Sequence, residues 1–196
     1  MIPIRLQKFA TGRAVVMAII LWLMYAMLFF ARGPYATLRQ IGDGPLLEET
    51  LGYGARDVQE RLHVLGEEGR SHYHTFQLLD GLNALLMTIA LSLSLAFTLS
   101  HLVAATNPLR LLVYLPALAG AGEVIENLLL LAALSSFPSE SPTAGALAGW
   151  VTSAKLVAGF VAFPVTALCF VAFGMTTLRH RGRRRREEQP SSDERK

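Results

Sequence analysis

AVVMAIILWLMYAMLFFA, residues 14–31, runs for 18 positions without a charged side chain. A helix rising about 1.5 Å per residue crosses most of a hydrocarbon core near 30 Å over such a run. Lipid is therefore the expected solvent for this segment, and the whole chain agrees. Of 196 residues, 52% are hydrophobic and 17% charged, and the mean hydropathy is +0.39, too apolar for an ordinary water-soluble domain. Arg5, Lys8 and Arg13 precede the run as they would in a secretory signal. The run exceeds the roughly 7–15 residues of a signal core and no A-x-A cleavage site follows, so a retained anchor is expected.

Working outward, three more long apolar runs follow at residues 80–105, 111–136 and 147–178. Pro116 and Pro164 fall in the last two, where neighbouring helices can satisfy the carbonyls freed by a kink. The short connection 106–110 makes the second and third spans an antiparallel hairpin. Residues 32–79 carry charges of both signs and the turn formers Gly33-Pro34 and Gly42-Asp43-Gly44-Pro45, which place them outside the hydrocarbon. From Gly54 a helical period appears in Val58, Leu62, Leu65, Phe76 and Leu79, broken at Gly66 and Gly69. It predicts two short surface helices, the second running into the second span. The expected fold class is all-α, an integral membrane four-helix bundle with a partly helical extracytoplasmic loop between its first two spans.

Orientation follows from lysine and arginine near the span ends. Residues 1–13, Arg110 and the run Arg179 to Arg186 fall on one side, which the positive-inside rule makes cytoplasmic. The connection 137–146 has no positive charge and belongs outside, as does the long first loop, whose arginines are partly matched by acids. A multi-pass protein of the cell inner membrane with both ends cytoplasmic is expected. The tail 179–196 is basic, expected to be disordered, and suited to anionic lipid headgroups. The formal charge of +3 comes largely from this tail, which topology explains without nucleic acid. Cys169 is the single cysteine, so intrachain disulfides and cysteine metal sites are excluded. Internal repeats and coiled-coil heptads are absent.

The third apolar run contains Glu123, Glu126 and Asn127. At a spacing of three residues the two carboxylates share one helical face. Counting from Ser136 puts Glu126 roughly 15 Å and Glu123 roughly 20 Å from the outer end. A charge at that depth costs at least about 2.5–3.5 kcal/mol, so such residues face the bundle interior and need partners. Lys155 on the fourth span and Asp80 and Asn83 on the second enter from the same side. The expected cluster is Asp80, Asn83, Glu123, Glu126, Asn127 and Lys155. Three acids and one base cannot all be ionised there, so at least one carboxyl is expected to keep its proton. Small residues form the packing stripes: Asp80, Ala84, Thr88, Ser92, Ala96 and Ser100 on the second span, Ala117, Ala121 and Gly122 on the third, and Ala154, Ala158 and Ala162 on the fourth.

Arg70, His72, Tyr73 and His74 sit above this cluster. Two histidines two apart on a helix point away from each other and no further ligand stands at a useful spacing, so His72 and His74 are weak metal candidates. Nucleotide loops, nucleophile elbows and zincin motifs are absent, and no cofactor is called for.

With these residues in view, the chain resembles an uncharacterised family of bacterial four-span membrane proteins. The matching pieces are Leu65-Gly66 with Gly69-Arg70 and Tyr73, Leu79-Asp80, Leu115-Pro116 with Glu123, Glu126 and Asn127, and Lys155. The resemblance spans most of residues 54–178. In the family the first acid of the helix-three string is commonly aspartate, where this chain has Glu123. The resemblance implies the topology and the cluster and carries no activity.

Four functions fit these observations. The cluster could be a structural network that fixes helix packing. It could be the site of a lipid-binding protein or an enzyme for a lipid or isoprenoid substrate, with Glu123 or Glu126 as general acid/base, Lys155 and Asp80 in support, and Asn83, Asn127, Tyr73 and Arg70 binding. It could serve a small proton-coupled transporter. The chain could also be an accessory subunit docking another membrane protein or a second copy through its long loop.

Overall fold

The computed structural model describes residues 8–42 and 44–187. Among them every regular element is helical. The elements are α1 (Gly12–Arg32), α2 (Pro34–Ile41), a 3-10 turn (Leu47–Glu49), α3 (Ala55–Leu102), a second 3-10 segment (Pro108–Tyr114), α4 (Leu115–Ser136) and α5 (Pro142–Glu187). Four helices, built on α1, α3, α4 and α5, are long and apolar enough to cross a membrane. Large apolar side chains point outward from them, among them Met27, 75% exposed, and Phe160, 74% exposed, which is the surface expected of a protein solvated by lipid.

α1 starts where Thr11 accepts a hydrogen bond from the Ala14 amide (3.2 Å), a side-chain N-cap. It ends at Gly33, and Pro34 opens α2 at a position where its missing N–H is no loss. α3 joins the expected surface helix to the second span in one element. It breaks at Gly66, whose φ of +63° and ψ of −172° suit glycine alone, whereas Gly69 is regular helix. The break frees carbonyls at the end of the first half, and Arg70 donates to that of Leu62 (3.0 Å).

Three boundaries differ from the sequence expectation. Pro116 lies in the first turn of α4 and begins that helix rather than kinking it, while Pro164 does sit inside α5. The hairpin connection is wider than 106–110, because α3 stops at Leu102 and Asn107 caps a 3-10 segment by accepting from the Leu109 amide (2.9 Å). Arg110 is buried there and donates to the carbonyls of Val103 (2.8 Å) and Ser100 (3.4 Å), closing the end of α3. Finally, α5 continues through Arg179–Arg183 to Glu187, so that part of the expected disordered tail is helix. Arg5 and residues 188–196, named above for topology and tail, lie outside the described residues.

α3 is the central helix, packing on α1, α4 and α5, while α4 and α5 pack on each other. The buried residues form two clusters. One holds Leu95, Leu99 and Val113 at the hairpin end. The other holds Phe29, Leu38, Leu46, Val58, Leu62 and Leu65 with Leu130 and Ala148. In the latter the apolar face of the first half of α3 is covered by protein, so the segment 33–65 forms a folded cap on the bundle. The small-residue stripe expected on α4 is met only at Gly122, which packs closely on Lys155 of α5; Ala117 and Ala121 are exposed, and Ala119 and Gly120 are buried instead. Gly120 faces Thr88 of α3, where a Cβ would collide with the threonine side chain.

Candidate functional site

Between the two apolar clusters lies a polar layer built by α3, α4, α5 and the cap. Among the described residues Lys155 is its only ammonium group, and it is buried. Its Nζ stands 2.5 Å from Glu123 Oε1 and pairs also with Glu126 Oε2. The spacing of three residues on α4 delivers both carboxylates to one amine. Glu126 is completely buried, and its Oε1 accepts from the Tyr53 hydroxyl at 3.0 Å, with Thr152 Oγ1 against both. Tyr53 reaches this point because α5 has Gly149 where the Tyr53 carbonyl approaches, and a Cβ would collide with that oxygen.

A second half of the layer centres on α3. Asn127 donates from Nδ2 to Asp80 Oδ2 (3.1 Å) and to the Gln77 carbonyl (3.2 Å). Asp80 lines the same cavity as Glu123 and Lys155. Glu48, on the 3-10 turn of the cap, is buried, and its Oε1 accepts from the Tyr73 hydroxyl (2.7 Å) and from Gln77 Nε2. Burial pushes the Glu48 carboxyl up to about 7, and the nearby Glu126 charge adds to the rise. Burial likewise raises the Tyr53 phenol, which stays a donor.

The structure thus brings together Asp80, Glu123, Glu126, Asn127, Lys155 and Tyr73. Asn83 stands one turn along α3 from Asp80, its Oδ1 buried and without a partner. Arg70 is not in the layer: its guanidinium lies 4.3 Å over the Phe137 ring. His74 is exposed and His72 half-buried, and among the described residues no group of three or more His, Cys, Asp or Glu is placed to hold a metal.

Sequence reasoning missed Glu48, Tyr53, Gln77 and Thr152. Two of these had a signal. Gln77 completes the face Tyr73, Gln77, Asp80, Ala84 on α3, and Thr152 precedes Lys155 by three residues on α5. Glu48 and Tyr53 lie in irregular chain, where no periodicity points inward.

A cavity of about 310 Å³ adjoins the layer. Its polar wall is Glu48, Glu49, Asp80, Asn83, Glu123 and Lys155; its apolar wall includes Phe30 of α1, Phe76 and Met87 of α3, and Phe160 and Phe163 of α5. Glu126 does not line it. Phe30 and Phe160 are also exposed on the outer surface, so the cavity reaches the flank of the bundle between α1 and α5. Along that flank the two helices meet through Trp22 and Phe163, whose rings are 6.0 Å apart.

No protein family, curated protein or solved structure that was compared matches the chain.

Proposed function

We propose that this chain is a multi-pass membrane protein that holds an amphipathic, lipid-like ligand in the side cavity. The head lies against Glu123, Asp80, Asn83 and Lys155, and the tail leaves between α1 and α5. The observation that carries this is the cavity itself, polar at its floor and aromatic at a mouth that faces where lipid would be. Positive-inside charges put both chain ends in the cytoplasm and the cavity in the outer half of an inner membrane.

Structural and ligand-facing roles separate within the cluster. Glu126, sealed by Lys155, Tyr53 and Thr152, fixes how α4, α5 and the cap pack. Glu123 shares Lys155 yet faces the cavity. The opposite half of the bundle buries Leu95, Leu99 and Val113 beside Ser94, Thr98 and Thr166, whose hydroxyls donate to carbonyls of their own helices, which gives no support to a proton path across it.

A photoreactive benzoyl-phenylalanine at position 160 tests the reading. Irradiation in native membranes should attach a lipid to that position, and placing Leu at Gly159, where the space is open, should abolish the adduct. Labelling at position 160 that is indifferent to Gly159→Leu would mean only bulk lipid contact and would sink the proposal.

A second reading is favoured by the Asp80 and Glu123 carboxyls, which both line the floor of the cavity, with Lys155 paired to Glu123. Two such carboxyls can hold one proton between them, the arrangement of a general acid/base pair. Glu123 would then transfer a proton to or from a bound isoprenoid or lipid while Asp80 orients it. Conversion of a photocaptured lipid by wild type but not by Glu123→Gln would establish it; capture of the same unaltered lipid by both would reject it.

A further inference from the structure

The polar floor of the cavity is short of donors. Glu48 and Asn83 line it, and Glu48 Oε2, Asn83 Oδ1, Gln77 Oε1 and Asn127 Oδ1 are buried without a hydrogen-bond partner. All four are side-chain oxygens, and Glu48 is only 7% exposed. Buried acceptors left single in a folded protein mark a missing donor, and at Glu48, whose carboxyl burial pushes up to about 7, a cation beside it would favour the ionised, acceptor form. The charges point the same way. Glu48, Asp80 and Glu123 face the cavity, as does Glu49, which pairs with Arg39, and the one ammonium beside them among the described residues, Lys155, is engaged by Glu123 and Glu126. Among the described residues no basic side chain pairs with Glu48 or Asp80. A phosphate or carboxylate head would meet this wall with like charge, and a hydroxyl would supply a single donor. An ammonium carries three donors and the compensating charge, and the rings of Phe30, Tyr35 and Phe76 in the same wall suit a cation.

Resting on the ligand pocket above, we infer that the head it selects is an ammonium, so that the ligand class is a long-chain amine. The nitrogen sits among Glu48, Asp80 and Asn83, and the hydrocarbon chain passes Met87 and Phe163 to the mouth at Phe30 and Phe160.

Thermal unfolding of the purified protein in a neutral detergent, with dodecylamine, dodecanol or dodecyl phosphate added, tests this. Dodecylamine should raise the midpoint by several degrees, dodecanol by less, and dodecyl phosphate not at all. The Glu48→Gln, Asp80→Asn double variant should lose the preference for the amine. Should that variant fail to fold, the order of the three ligands on the wild type decides alone. Equal shifts from amine and alcohol, or any preference for the phosphate, would overturn the ammonium assignment while leaving an apolar pocket in place. If none of the three moves the midpoint and Gly159→Leu behaves as wild type with all of them, the pocket itself is refuted.

Discussion

Lys155 holds two carboxylates at once, and its neighbours set what each substitution should do. Lys155→Met leaves Glu123 and Glu126 facing each other without a counter-ion in a buried site. Removing one partner of such a pair typically costs about 3–5 kcal/mol, so chemical or thermal unfolding should show a loss of that size. Glu123→Gln keeps the Glu126 pair and should cost clearly less. A variant series in which Glu123→Gln is the most damaging would contradict the division of roles. Glu48 gives a pH dependence with a defined sign. Its carboxyl rises from 4.5 to about 7 on folding, so between those values the folded state binds more protons than the unfolded state. Stability from this group is full below pH 4.5, is lost as pH rises through 7, and the total is on the order of 3 kcal/mol. Comparison of wild type with Glu48→Gln between pH 4.5 and 8 should show the slope in the first and its absence in the second. The acids and lysine of this layer are legible in the sequence because charges in a long apolar helix are costly and stand out at a spacing of three. Glu48 is not, since it reaches the interior from a 3-10 turn between two non-helical segments, and nothing in its neighbours distinguishes it from the exposed Glu49.

At the scale of elements, Gly66 and Gly174 make a pair with opposite expectations. Gly66 has positive φ in a region that side chains avoid, so Gly66→Ala should cost about 1–3 kcal/mol. Gly174 lies in regular helix with open space around its Cβ position, and Gly174→Ala should be neutral or stabilise by up to about 1 kcal/mol. Melting temperatures of the two variants in the same detergent check both signs. Apolar length and period make the four long helices and the break at Gly66 readable. Their ends are less so, because Pro116 reads equally as a kink or as a first turn until the 3-10 segment before it is known. The α4 packing stripe shifts for a related reason: the face turned to α3 is decided by Thr88 opposite Gly120, a tertiary fit that spacing alone does not encode.

The whole molecule is a bundle with a folded cap, and the cap completes the site by supplying Glu48 and Tyr53. Its packing was hidden in the sequence because residues 33–54 are one eight-residue helix and short turns whose apolar side chains, Leu38, Leu46 and Leu47, show no sustained period. The proposed orientation places this cap and the connection 137–141 on the outer side. In cells, an impermeant thiol reagent should label Ser139→Cys and leave Arg179→Cys untouched until the membrane is opened; the reverse would invert the topology. The side cavity is proposed to hold an amphipathic molecule. Native mass spectrometry of the protein released from mild detergent tests it most directly, comparing wild type with Gly159→Leu. Wild type should retain a lipid-sized adduct that Gly159→Leu, equally stable, has lost. Bare wild-type protein, or equal retention by both, would contradict it.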